Sequence, residues 1–225
     1  LVVASISYSA APVFQGGTGA NSTEAGVDNT ASGEFSSAFG YDNTASGKWS
    51  SAFGYDNTAR EKGSSAFGYD NTASGEFSSA FGYFNKASGK WSSAFGYDNK
   101  ANGFSSSAFG YKNTASGKES SAFGYVNKAS GQYSSAFGYG NIVGKLKKDG
   151  SGNLIPDENF GKKSLALGTE YKVTGNFSGA FGVGKVTINA SGKEYKYINK
   201  GNNSYMIGNY NKIASGSNNN FILGN

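Results

Sequence analysis

Ser36-Ser37-Ala38-Phe39-Gly40-Tyr41-Asp42-Asn43-Thr44-Ala45-Ser46-Gly47 is followed, after Lys48 and Trp49, by almost the same words again. Ser-Ser-Ala-Phe-Gly occurs eight times at a spacing of fourteen residues, with Phe39, Phe53, Phe67, Phe81, Phe95, Phe109, Phe123 and Phe137 in step. A period this strict marks a repeat architecture, in which each unit stacks on its neighbour and cannot bury its apolar face alone. Fourteen residues are too few for two helices with their turns, but they hold two short strands and two turns. Ser37-Ala38-Phe39 runs into Gly40 and Thr44-Ala45-Ser46 runs into Gly47, so each coil reads strand, turn, strand, turn. One turn position is held by Asn43, Asn57, Asn71, Asn85, Asn99, Asn113, Asn127 and Asn141. Asparagine tolerates positive φ, and its amide can bond to the copy in the next coil. The glycine series continues less regularly through Gly168, Gly182, Gly208 and Gly224. That makes about thirteen coils, on the order of 60 Å of parallel β-roll at about 4.8 Å per coil.

Each coil then carries one phenylalanine line and one alanine line. Neighbours along a strand point to opposite faces, so only one of the two lines enters the interior. A coil needs a large apolar residue to offset the ordering of its backbone, roughly 14–28 kcal/mol for fourteen residues. The expectation is therefore that the phenylalanines fill the roll. The alanines Ala38, Ala52, Ala66, Ala80, Ala94, Ala108, Ala122 and Ala136 would then form an outer stripe of small residues, the seam of a homo-oligomer with cyclic symmetry.

Composition narrows the chemistry. Of 225 residues, 35 are glycine and 2 proline, which excludes collagen and proline-rich linkers. Aromatics at 15% are too many for a disordered chain. The chain has no cysteine and no histidine, which removes disulfides, thiol nucleophiles, serine-triad chemistry and the usual pH switch. A net charge of +5 is mild and reads as ordinary solubility, not as a nucleic-acid surface. No run of eighteen apolar residues is present. Residues 1–21, beginning Leu1-Val2-Val3-Ala4-Ser5-Ile6, read as an N-terminal segment or cap, or the remnant of a signal peptide. Residues 22–225 read as the roll, with insertions near 144–163 and 185–203.

In a repeat, a specific site belongs where the repeat breaks. Arg60, Glu61 and Lys62 put three charges into one turn. The insertion 145–163 carries Lys147 and Lys148, and the segment 185–203 carries Tyr195 and Tyr197 between lysines. Trp49 and Trp91, with Phe35, Phe77 and Tyr133, occupy the turn before the Ser-Ser word, and read either as edge caps or as an exposed aromatic ridge. Phe84 and Val126 replace the usual aspartate of the other turn. Asp42, Asp56 and Asp70 would serve glycoside cleavage only if two carboxylates faced each other about 5–9 Å apart; as residues before asparagine they read as turn acids. A threonine ladder for ice is broken by Lys86, Lys100 and Lys128. The chain is thus read as a non-enzyme, with no catalytic residue, cofactor or metal.

These words resemble the head repeat of trimeric autotransporter adhesins, the YadA-like heads. That repeat runs roughly Ser-Val-Ala-Ile-Gly-x-x-Ser-x-Ala-x-Gly, which Ser36 to Gly47 match with Ser for Val, Phe for Ile and Asn for the second Ser. Ser164-Leu165-Ala166-Leu167-Gly168 and Tyr205-Met206-Ile207-Gly208 are closer still. The resemblance implies a left-handed parallel β-roll in a homotrimer. It also implies a place on the surface of a Gram-negative bacterium, anchored in the outer membrane through a stalk and C-terminal region outside this stretch. Its implied role is attachment to host cells. The Phe/Tyr/Lys/Asn-rich wording looks most like fusobacterial members, which implies a CEACAM-type receptor as the protein partner. A glycan or matrix component is the alternative partner, and polysaccharide cleavage the remote one.

Overall fold

The fourteen-residue coil folds as its spacing demands. A five-residue strand such as Ser37–Tyr41 turns at Asp42, continues as the two-residue strand Thr44–Ala45, and turns again at Gly47 into the next coil. The computed structural model describes residues 14–152, 154–189 and 192–224; most of the expected N-terminal segment, 1–13, lies outside them. Among the described residues there is no helix. The five-residue strands stack into one sheet of fourteen strands and the two-residue strands into a second sheet of eleven. Within the first sheet the coils are parallel and in phase: Ala38 pairs with Ala52, Phe39 with Phe53 and Tyr41 with Tyr55. Gln15–Gly16 runs antiparallel along Thr23–Val27 and covers that end of the sheet.

The interior reverses the expected assignment of the two lines. Ala38, Ala52, Ala66, Ala80, Ala94, Ala108, Ala122 and Ala136 are all 0% exposed within a single chain. They face Ala45, Ala59, Ala73 and their successors from the second sheet in one continuous core. The phenylalanines stand on the outer face, half-buried, with rings stacked at 4.7–5.1 Å from Phe39 to Phe137. The alanines are therefore not a seam between subunits. The physical reason is thickness. Two sheets joined by links of two residues on one side and five on the other lie too close for rings, and methyl groups fill the gap. Only near the C-terminal end do larger residues enter: Val143, Val173, Tyr171 and Met206 are fully buried. Burial raises the Tyr171 pKa above the usual phenol value, and its hydroxyl donates to the carbonyl of Gly208 at 2.8 Å.

Polar bonds supply what the thin core does not. The asparagine line is a buried ladder. The Oδ1 of Asn71 accepts both the backbone N–H and the Nδ2 of Asn85, at 3.0 Å each. The same Nδ2 donates to Phe81 O at 2.9 Å and to Gly96 O of the next coil at 2.7 Å. This pattern runs from Asn29 to Asn141 and ends where Asn141 Oδ1 accepts the N–H of Tyr171. Gly40 and its successors make the close approach possible. Gly40 sits at φ +119°, and a Cβ there would collide with the carbonyl oxygen of Gly54.

Both insertions contain antiparallel hairpins. Leu146–Lys148 pairs with Leu154–Pro156, and Val186–Asn189 with Gly192–Tyr195. The roll closes beneath the first without losing phase: Ala136 pairs with Ala166 and Gly138 with Gly168. Asn85→Ala is expected to cost at least about 3 kcal/mol in urea unfolding, because several buried groups lose partners worth about 1–3 kcal/mol each. Thr72→Ala on the outer face should stay within about 0.5 kcal/mol. Ala94→Leu should cost about 3 kcal/mol or more by overpacking, whereas Phe95→Ser should leave the circular dichroism of the chain unchanged.

Candidate functional site

The turn before each Ser-Ser word forces one residue into the left-handed region. Phe35, Trp49, Phe77, Trp91, Tyr133 and Phe177 all sit there, at φ between 53° and 59°. For a side chain with a Cβ this costs about 1–2 kcal/mol, and glycine would avoid it, as Gly63 does at φ 64° in the same position. The aromatics are nonetheless exposed, Trp49 by 50% and Trp91 by 49%. They form a ridge along the roll, and lysines interleave with them. Lys48 lies 4.8 Å from the Trp49 ring, and Lys62 bridges Trp49 at 5.1 Å and Phe77 at 5.6 Å. Lys90 lies 4.8 Å from Trp91, whose ring meets Phe104 edge-on at 5.0 Å. Lys48 pairs with Glu34 and Lys90 with Glu76, both at 2.6 Å. Arg60, Glu61 and Lys62 are exposed in one turn; through Lys62 that turn belongs to the ridge. About half of each ring is exposed, and the Phe77 ring lies against Gly63 of the coil before it.

At the opposite turn a second aromatic line runs from Tyr41 to Tyr139, with rings stacked at 4.7–5.2 Å and largely exposed. Its signal in the sequence is the constancy of tyrosine after each Ser-Ala-Phe-Gly from Tyr41 to Tyr139. Phe84 belongs to this line, set edge-on against Tyr83 at 4.4 Å and Tyr69 at 5.7 Å. Asp42, Asp56 and Asp70 occupy left-handed turn positions in single file, one coil apart, and do not face one another across a cleft. Partial burial, and then the neighbouring Asp56, raise the Asp70 pKa.

Lys147 and Lys148 are exposed on the first hairpin. That hairpin borders two adjoining open clefts that share Ser130. One, of about 330 Å³, lies between Phe104 and Lys118 on the roll and Ile155 and Pro156 on the hairpin. The other, of about 200 Å³, is lined by Lys128, Lys145 and Lys172 over Ile142 and Leu146. Burial pushes Lys128 below the ordinary lysine value. Lys172 is lowered by burial and then by Lys145 and Lys200. Sequence reading passed over Lys128 and Lys172, because they look like interruptions of the threonine line until the hairpin root is seen to line a cleft with them. At the second hairpin the Tyr197 ring lies 5.1 Å from Tyr210, while the side chain of Tyr195 lies outside what the structure describes. Among the described residues no three His, Cys, Asp or Glu side chains gather as a metal site, and no helix is long and apolar enough to cross a membrane.

The YadA head domain repeat, as a two-copy family description, matches residues 18–43, 31–57, 45–71, 59–85, 87–113, 101–127 and 115–141. No curated protein matches the chain. The matched windows span more than half of the sequence, and the chain belongs to the YadA head family, the adhesin heads of trimeric autotransporters. This is a family of surface adhesins and not of enzymes, and its members stand on the cell surface, anchored in the outer membrane.

Two outcomes follow from the site geometry. Trp49→Gly relieves a left-handed strain of about 1–2 kcal/mol against a glycine entropy cost of about 0.5–1 kcal/mol, so thermal unfolding should stay close to that of the parent chain. Lys128→Met removes a half-buried ammonium whose folded pKa lies below its unfolded value. Such a group costs stability while both states are protonated, and the cost fades as pH rises through the folded pKa toward 10.5. The variant should therefore melt higher than the parent at pH 7, with the gap narrowing toward pH 10.

Proposed function

We propose that this chain, as a head of the YadA family, works as a homotrimer that attaches a bacterium to host cells, its copies meeting along the phenylalanine line. The observation that carries this is the unbroken row of half-exposed, stacked rings from Phe39 to Phe137 on the outer face of the larger sheet. A stripe of this length is more apolar surface than a soluble monomer ordinarily leaves open, and covering it supplies the burial that the alanine interior lacks. Residues 22–225 then act as one rigid head with two surface hairpins, and the segment before them as its cap. The ridge of Trp49, Trp91 and Lys62 with Arg60 and Glu61, the Phe84 patch, and the hairpins with Lys147, Lys148, Tyr195 and Tyr197 are the surfaces offered to a partner. Exposed tryptophan held in a strained turn, where glycine would fold at least as well, supports a binding role for the ridge. The partner we favour is an immunoglobulin-like ectodomain of CEACAM type, on the likeness of these repeats to fusobacterial heads. A glycan is the second reading, supported by the lysine-lined cavity under the first hairpin.

Sedimentation equilibrium of the parent chain should give a trimer. Phe81→Ser with Phe95→Ser should shift it to monomer with its circular dichroism retained, and a parent that stays monomeric at tens of micromolar would sink the trimer. Immobilised CEACAM ectodomain should capture the trimer, and Trp49→Gly with Arg60→Ala should weaken capture tenfold or more. Undiminished capture by that variant would remove the ridge from the interface.

A further inference from the structure

One coil departs from the others beside the first hairpin. The left-handed turn position carries a ring at Phe35, Trp49, Phe77, Trp91 and Tyr133, and the residue before it is Glu34, Lys48, Glu76, Lys90 or Gln132. At Phe104 and Ser105 the order is reversed: the ring comes one residue early, and Ser105 takes the left-handed position at φ 51°. The Phe104 ring meets Trp91 edge-on at 5.0 Å. It is 38% exposed and forms one wall of the larger cleft, opposite Ile155 and Pro156 of the hairpin strand Leu154–Pro156. Lys90 and Lys118 hold the same position in the coils on either side, and the strands of those coils pair in unbroken phase. A solvated side chain is therefore accepted at this point of the coil.

The lining is mixed in polarity and balanced in charge. Phe104, Ile155 and Pro156 supply carbon surface, while Gly103 and Gly117, from successive coils, carry no side chain into the space. Of the residues that line it, Lys118 and Glu158 are charged, one of each sign. Lys118 lies 5.5 Å from the centre of the Phe104 ring and 3.8 Å from Glu119. Glu158 brings acceptors only, and Gln132 brings both a donor group and an acceptor. This chemistry weighs the possible occupants. An apolar side chain would desolvate Gln132 and Glu158 without giving them partners. An anion would sit against Glu158, and a cation against Lys118. A pyranose answers both halves, because its C–H face packs on a ring and its hydroxyls both donate and accept. The volume of about 330 Å³ falls at the small end of ligand sites, about 300–1,000 Å³, and suits one or two sugar units.

We propose that this cleft binds a neutral saccharide, with a pyranose stacked on Phe104 and its hydroxyls bonded to Gln132 and Glu158. Ile155 and Pro156 pack on the opposite face of the sugar. This rests on the glycan reading of the head and is independent of any protein receptor. None of these residues stands on the phenylalanine line, so the site does not depend on how copies meet there. The reversal at Phe104 and the insertion 145–163 each occur once in the sequence, so each chain carries one such site and not a row of them.

The test is calorimetric titration of the intact chain with methyl α-mannoside, methyl β-galactoside, lactose and N,N′-diacetylchitobiose, with saturation-transfer NMR for weak binders. At least one of these neutral sugars should bind, with a stoichiometry of one per chain and an affinity that added salt leaves unchanged. Phe104→Lys restores the residue type of the neighbouring coils. It should retain the parent's circular dichroism and bind tenfold or more weakly. Glu158→Gln with Gln132→Ala should weaken binding at least threefold, whereas Phe104→Trp should retain it. The proposal is overturned if none of the sugars binds, or if Phe104→Lys binds as the parent does. Binding that survives Phe104→Lys would remove this cleft and leave the glycan reading, with the sugar seated elsewhere. A chain that captures a protein ectodomain and none of the sugars would remove both and leave the protein-binding reading intact.

Discussion

The buried asparagine ladder is the constraint to which the rest of this molecule answers. From Asn43 to Asn141 each coil places one amide inside the roll, and each amide bonds the coil before it and the coil after it, as Asn85 does to Asn71, Gly96 and Asn99. Such a ladder works only at one spacing and one phase. It therefore locks the coils in register more strictly than apolar contacts, which have no direction, are able to. It also imposes the glycines: the amide reaches the carbonyl of the next coil because Gly40 and Gly54 carry no Cβ in the space between. Losing one rung leaves several buried groups without partners, so the ladder holds the fold in a way that no single alanine methyl does.

A roll held by in-line amides and filled by methyl groups is very thin, and thinness turns it inside out. Rings that a globular domain would bury stand outside here, on three lines: the phenylalanines, the tyrosines beside them, and the aromatic turns with their lysines. Along the described coils the interior is filled by alanine methyl groups and asparagine amides, and the rings and charges stand on the surface. That is the condition an adhesin needs: a stiff scaffold, about 4.8 Å per coil, that presents rings and charges at set heights. The first inserted hairpin adds relief to this surface, because it leaves the roll and the roll resumes in phase, as Ala136 and Ala166 show by pairing directly.

Much of this was legible in the chain itself. The period, the two strands per coil, the parallel phase and the turn role of Asn43 and Gly40 follow from spacing and from backbone preferences that are local. The candidate ridge was visible as Trp49 and Trp91 at one turn position, and the turn Arg60 to Lys62 as a departure from the repeated words. The reading failed at the pair Ala38 and Phe39. Alternation shows that the two point opposite ways but not which way is in, and hydrophobicity alone puts the ring inside. The gap between the sheets decides it, and the length of the turns, not the identity of the strand residues, sets that gap. Lys128 and Lys172 escaped notice for a related reason. They are ordinary outer-face lysines until the root of the hairpin, Gly144 to Leu146, more than ten residues from either in sequence, lines a cleft with them.

Residue types and their recurrence were enough to specify a parallel all-β roll and its family, because each rung repeats the same local bonds and needs no distant partner. Which line is core, which is contact surface, and where a cavity forms depended on distances between elements, the inter-sheet gap and the placement of the hairpin. Those distances are set by how whole coils pack, and a one-dimensional pattern carries no record of them.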